Sequence, residues 1–217
     1  MLSKIQLKLF NNPNSFQFTQ ESYDSLIAVS TETLLDEWRL DDSCYQYVET
    51  FVEECAQFGN DFNLKTNSQI YSHFDSTGMY SVTFLDALNT FNDAIDSCTT
   101  YNGVQNVKSS LDTYIGTLSI STTEKDILYA VTSTAESSYK YWLDNNSIWS
   151  NNDIEIRDCP NCKKIAKADA NGIVQGMVSG GLIGLIGGPV GAAVGLMSGG
   201  IGGGAVGSAA QALGWVW

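Results

Sequence analysis

Between about Ser22 and Asn145 the apolar side chains recur at three- and four-residue intervals, the period of helices that turn one stripe toward a shared core. Four stripes are legible. They are Cys44, Val48, Phe51, Cys55 and Phe58, closing at Gly59; Phe84, Leu88, Phe91, Ile95 and Cys98; Val104, Val107, Leu111 and Leu118; and Leu128, Val131, Ala135, Tyr139 and Trp142. Ser121-Thr122-Thr123-Glu124 has the spacing of a capping box ahead of the last stripe. Before this region the period is two: Ile5, Leu7 and Leu9 alternate with Gln6 and Lys8, Asn11-Asn12-Pro13-Asn14 punctuates, and Phe16 and Phe18 alternate again. That pattern predicts a small β-hairpin. Residues 1–145 therefore read as a mainly α head, a helical bundle with an N-terminal β-hairpin, whose stripes can satisfy one another without the rest of the chain.

After the head the pattern changes twice. Residues 146–167 are polar, rich in Asn and Asp, and read as a connector containing Cys159-Pro160-Asn161-Cys162. Residues 168–217 exchange the apolar–polar rhythm for a glycine rhythm, with sixteen of the twenty glycines and no charged residue from Asn171 to Trp217. One run is Gly172, Gly176, Gly180, Gly184 and Gly188; the other is Gly187, Gly191, Gly195, Gly199, Gly203 and Gly207. Four-residue spacing keeps these glycines on nearly one helix face, where missing side chains let a second backbone approach closely. The residues between them are mostly Ile, Val, Leu, Met and Ala, so the opposite face is apolar.

A flexible linker would carry Ser, charge or Pro and would lack this branched-aliphatic register. A helix so rich in glycine is unfavourable in water by roughly 1 kcal/mol per Gly, on the order of 16 kcal/mol over the tail. Lipid or burial against protein must hold it. A membrane span needs about 20 residues. Residues 168–188 nearly supply one, and residues 190–213 supply another beyond Pro189. The pattern predicts a hydrophobic helical hairpin turning at Gly187-Gly188-Pro189, with Lys163, Lys164 and Lys167 at its entrance and Trp215 and Trp217 at its exit as interface anchors. The competing arrangement is a helical hairpin hidden inside a bundle until triggered.

Charge narrows the partners. The 217 residues carry a formal net charge of −13, all of it ahead of residue 170. An acidic head repels nucleic acid and anionic lipid alike, so nucleic acid is excluded and any membrane contact is hydrophobic. Met1–Gln20 has no apolar stretch of leader length, and five cysteines are an odd, sparse set unlike a disulfide scaffold. The compartment stays open, with a membrane-associated place in a bacterial envelope or a secreted form both compatible.

Candidate chemistry is thin. The pair Cys159 and Cys162 has no second knuckle to complete a zinc site and no βαβ setting for redox work, which leaves a local disulfide or two free thiols. Gly202-Gly203-Gly204-Ala205-Val206-Gly207 matches a dinucleotide-loop string, but no strand precedes it and ten residues follow it. Asp144 to Glu155 falls roughly on calcium-loop offsets, yet Ile148 takes a ligand position and Trp149 stands where the turn needs Gly. His73, the single histidine, reads as an ordinary bundle residue. No catalytic residue, metal or cofactor is expected, and the chain reads as a non-enzyme.

Residues 172–207 resemble the glycine-zipper segments of bacterial envelope proteins and of membrane-active bacteriocins. The head, with Ser137-Ser138-Tyr139-Lys140-Tyr141-Trp142 and the Cys-x-x-Cys connector, resembles uncharacterised bacterial helical proteins. The resemblance implies a bacteriocin-like, membrane-active protein that inserts the hairpin into lipid and self-associates through its glycine face. The alternative is a structural or anchoring protein whose tail is embedded permanently in an envelope membrane or an assembly.

Overall fold

The computed structural model describes residues 20–61, 66–149 and 162–184, together with Gly200, Gly202 and Gly204. Seven α-helices run through these residues: α1 (Gln20–Trp38), α2 (Tyr45–Asp61), α3 (Asn67–Ser76), α4 (Val82–Ser97), α5 (Tyr101–Thr117), α6 (Thr122–Trp149) and α7 (Cys162–Gly184). A short 3-10 turn, Asp42–Cys44, leads into α2.

Most of the starts are written in the local sequence. Thr66 caps α3 in a reciprocal box with Gln69, Ser81 caps α4 by accepting from the Phe84 amide at 3.2 Å, and Thr100 caps α5 through the Gly103 amide at 3.2 Å. The box expected at Ser121 is present: the Glu124 amide donates to the Ser121 hydroxyl at 3.2 Å, and the Glu124 carboxylate accepts from the Ser121 amide at 3.1 Å. The same carboxylate accepts from the Ser81 amide at 2.8 Å, so one side chain ties the starts of α4 and α6 together. Each such cap contributes about 1 kcal/mol. Between α3 and α4 the chain reverses through Gly78, whose φ of +61° is the left-handed conformation that glycine adopts without strain.

The apolar stripes do what their period implies. Phe84, Leu88, Phe91, Ile95 and Cys98 of α4 and its cap are all buried, as are Leu128, Val131, Ala135, Tyr139 and Trp142 of α6. Val104 and Leu111 of α5 join them, while Val107 and Leu118 pack at the edge. The helices associate largely as sequence neighbours, α1 with α2, α3 with α4 and α5 with α6.

The small β-hairpin is corrected. The described residues are 88% helical and contain no strand, so they are mainly α with no β component. A two-stranded hairpin is marginal unless a third strand or a packed face supports it. No strand among the described residues is there to supply that support. Residues 5–18 themselves lie outside the described residues.

The boundaries between head, connector and tail also differ from the sequence pattern. Helix α6 continues to Trp149, and α7 begins at Cys162, so residues 162–167 of the expected connector are helical and continuous with the first part of the expected tail. Cys162, Ile165, Ala166, Ala168, Ala170 and Val174 belong to the same hydrophobic core as the stripes of α4, α5 and α6. Helix α7 packs against α2, α4 and α6. None of the described helices is long and apolar enough to cross a membrane.

Candidate functional site

The tail's first arm is the most enclosed helix of the bundle: every residue from Ile165 to Gly176 is buried. With neighbours on several sides, α7 resolves into stripes of residues four apart, each meeting a different environment. Cys162, Ala166, Ala170, Val174 and Val178 form an apolar stripe that is buried throughout. Gly172 and Gly176, from the expected zipper face, are buried, and Gly180 and Gly184 complete the helix.

A third stripe, Asp169, Ile173 and Met177, meets the second arm of the tail. Gly200, Gly202 and Gly204 are helical in backbone and buried. A Cβ at Gly200 would come within 3.0 Å of Met177 Cγ and Cε, and one at Gly204 within 3.1 Å of the Asp169 carbonyl oxygen and 3.3 Å of Ile173 Cγ1. Two glycines four residues apart thus meet α7, Gly204 close against its backbone and Gly200 against the Met177 and Ile173 side chains. They are Gly200 and Gly204, one position along from the expected Gly199 and Gly203. Gly188, Gly191, Gly195, Gly199, Gly203 and Gly207 lie outside the described residues, as do Trp215 and Trp217.

The fourth stripe is polar. Lys163, Lys167, Asn171 and Gln175 follow one another at intervals of four, and each is bonded to the α3–α4 hairpin. Lys163 Nζ donates to the Asp96 carbonyl at 2.8 Å. Lys167 Nζ reaches both Asp96 carboxylate oxygens at 2.8 Å and Asn67 Oδ1 at 3.0 Å. Asn171 and Asn92 exchange amide hydrogen bonds at 2.7 and 3.3 Å, and Asn171 Nδ2 also donates to the Lys167 carbonyl. Gln175 Oε1 meets His73 Nε2 at 2.7 Å, and the Tyr80 hydroxyl donates to the Val174 carbonyl at 3.1 Å. The order of these contacts makes α7 antiparallel to α4.

Of the expected anchors, Lys164 is exposed, Lys163 is half-buried, and Lys167 is buried at 8% exposure. A surface ion pair contributes about 0–1 kcal/mol, but an enclosed ammonium that loses its carboxylate is left with an uncompensated charge and costs several times more. The Lys167–Asp96 contact belongs nearer the second case, because Asp96 keeps part of its solvent while Lys167 does not.

On the opposite side of α7, Asp169 is enclosed at 2% exposure and receives a hydrogen bond from the Ser138 hydroxyl of α6. Burial pushes its carboxyl well above the usual aspartate range; Ser138 and, more weakly, the Trp142 indole oppose that shift without cancelling it. Asp169 is the last charged residue in the sequence.

The cysteines divide cleanly. Cys162 is disulfide-bonded, Cys159 lies outside the described residues, and Cys44, Cys55 and Cys98 are free thiols. Burial raises the thiols of both Cys55 and Cys98, which suits packing rather than nucleophilic work. Among the described residues no cluster of three or more His, Cys, Asp or Glu is arranged to hold a metal ion.

The glycine pattern drew attention to the tail, but the stripe that fastens α7 to the head was missed. Its signal was present: four polar residues at intervals of four, running into an otherwise apolar helix. No protein-family model, curated protein or solved structure matches the chain.

Proposed function

We propose that this is a non-enzymatic, membrane-active helical protein that carries its insertion hairpin folded into its own bundle. The observation that carries the reading is the enclosure of α7. The helix that opens the uncharged, glycine-patterned tail is wrapped by α2, α4 and α6 and met by Gly200 and Gly204, rather than standing apart from the head. A permanent anchor has no need to bury its first arm in the domain it anchors. A segment that enters lipid only on release does, because its glycine-rich helix is unfavourable in water and must be held by protein until then.

The acidic hairpin α1–α2 fits the same reading. Residues 20–61 carry eleven acidic side chains against Arg39 alone. That surface keeps the closed form off anionic lipid, so insertion depends on the hairpin coming free.

The test uses the full-length protein with dye-loaded liposomes. Warmed toward its melting midpoint, the protein is expected to float with the vesicles and release dye, whereas well below the midpoint it does neither. Full-length protein that stays off the vesicles both below and at the midpoint overturns the reading.

A further inference from the structure

We infer that the polar stripe of α7 is an autoinhibitory clasp: the bonds of Lys167, Asn171 and Gln175 to the α3–α4 hairpin add to apolar packing in keeping the tail's first arm inside the bundle. The apolar and small stripes of α7 are satisfied equally well by core or by lipid, and so do not discriminate strongly between the closed and released forms. The polar stripe does discriminate. In the bundle, Lys167 sits between the Asp96 carboxylate and Asn67, Asn171 is paired amide to amide with Asn92, and Gln175 meets His73. In lipid those three side chains lose every one of these contacts, and polar groups without them are unfavourable there.

Register supports the same conclusion. Three successive residues of one stripe meet three different groups on α3 and α4, so sliding α7 by one turn would break all of them together. Buried polar pairs of this kind set alignment between helices.

The clasp can be tested apart from the membrane reading, on which only its leakage arm rests. Cys98 is the reporter: it is a buried free thiol at the end of α4, two residues from the Asp96 carbonyl that Lys163 holds. Full-length Asp96→Asn removes the charge that Lys167 meets, and Asn92→Ala removes both hydrogen bonds to Asn171. Thr132→Val is the control, because it removes the 2.7 Å hydrogen bond from Thr132 to Asp112 between α5 and α6 and leaves α7 untouched. Alkylation of Cys98 by a maleimide, located by peptide mass spectrometry, reads how often α7 lifts.

Both clasp variants are expected to label Cys98 roughly tenfold faster than Thr132→Val, the size of effect that follows from losing a buried or charged hydrogen bond. Labelling no faster than the control overturns the clasp. Should Asn92→Ala lose its helical circular dichroism, Asp96→Asn decides alone, since that side chain is 45% exposed and the change is nearly isosteric. The leakage arm separates the two ideas. Faster labelling without dye release supports the clasp and overturns the membrane function; dye release without faster labelling supports the function and overturns the clasp.

Discussion

Asp169 and Glu124 give opposite pH signatures, and both follow from their surroundings. Burial raises the folded-state pKa of Asp169 above its unfolded value, so the native protein holds that proton more tightly than the unfolded chain. Stability from this group is therefore full in acid and falls as pH rises from the unfolded pKa toward the folded one. Asp169→Asn is expected to flatten that fall and to stabilise the protein at neutral pH, read as urea midpoints across a pH series. A steeper fall in the variant would contradict the buried, proton-retaining site. Glu124 is also disfavoured as a charge by burial, but hydrogen bonds from Ser81 and Ser121 outweigh it and hold its carboxyl below the usual glutamate range. Its contribution is present above the unfolded pKa and is lost as pH falls through the folded one. Glu124→Gln should remove part of the acid limb of the same curve and leave the alkaline limb unchanged.

Glycines separate by neighbourhood just as sharply. Gly204 faces the backbone of α7, and Gly204→Val should cost about 2 kcal/mol in chemical denaturation, because a carbonyl oxygen cannot swing aside as a side chain can. Gly116 is exposed in the last turn of α5 with only the Tyr129 hydroxyl within 3.7 Å of a new Cβ. Gly116→Ala should stabilise by up to about 1 kcal/mol through helix propensity. Equal effects at the two sites would show that Gly204 makes no close approach.

At the scale of elements, α7 is the piece whose removal changes most. It buries Ile165, Ile173, Val174 and Val178. At about 1.5–3 kcal/mol per large aliphatic side chain, an upper estimate because unfolded chains are already partly compact, their burial is worth about 6–12 kcal/mol. That matches the roughly 5–15 kcal/mol by which a domain is stable at all. Residues 1–150 expressed alone are therefore expected to keep helical far-ultraviolet dichroism but lose cooperative melting. A sharp melt close to that of the full chain would mean that α4, α5 and α6 close their core without α7. The stripes of those helices were legible in the sequence, as was the Ser121 box, because both are set by spacing within one segment. The need for α7 was not, since a stripe records that a face is buried without naming the helix that buries it.

For the whole molecule, the glycine rhythm and the enclosure of α7 lead to one physical problem, a helix that water does not favour and that something else must hold. Here its own head holds it, through apolar walls on α2, α4 and α6, a close approach at Gly200 and Gly204, and a polar stripe along α3 and α4. The sequence alone was enough to settle the helical character of the described residues, the Ser121 box and the core faces of α4 and α6. These are local properties, written in propensity, period and composition. The alternation that predicts a β-hairpin is equally local, and two short alternating runs carry no information about a third strand to stabilise them. Only the tertiary structure decided that Lys167 faces Asp96, that Asn171 pairs with Asn92, that Asp169 is sealed under Ser138, and that Gly200 and Gly204 make the close approach. Each of these joins residues from about twenty to eighty positions apart, and a one-dimensional pattern specifies which face a residue occupies but not which distant face it meets.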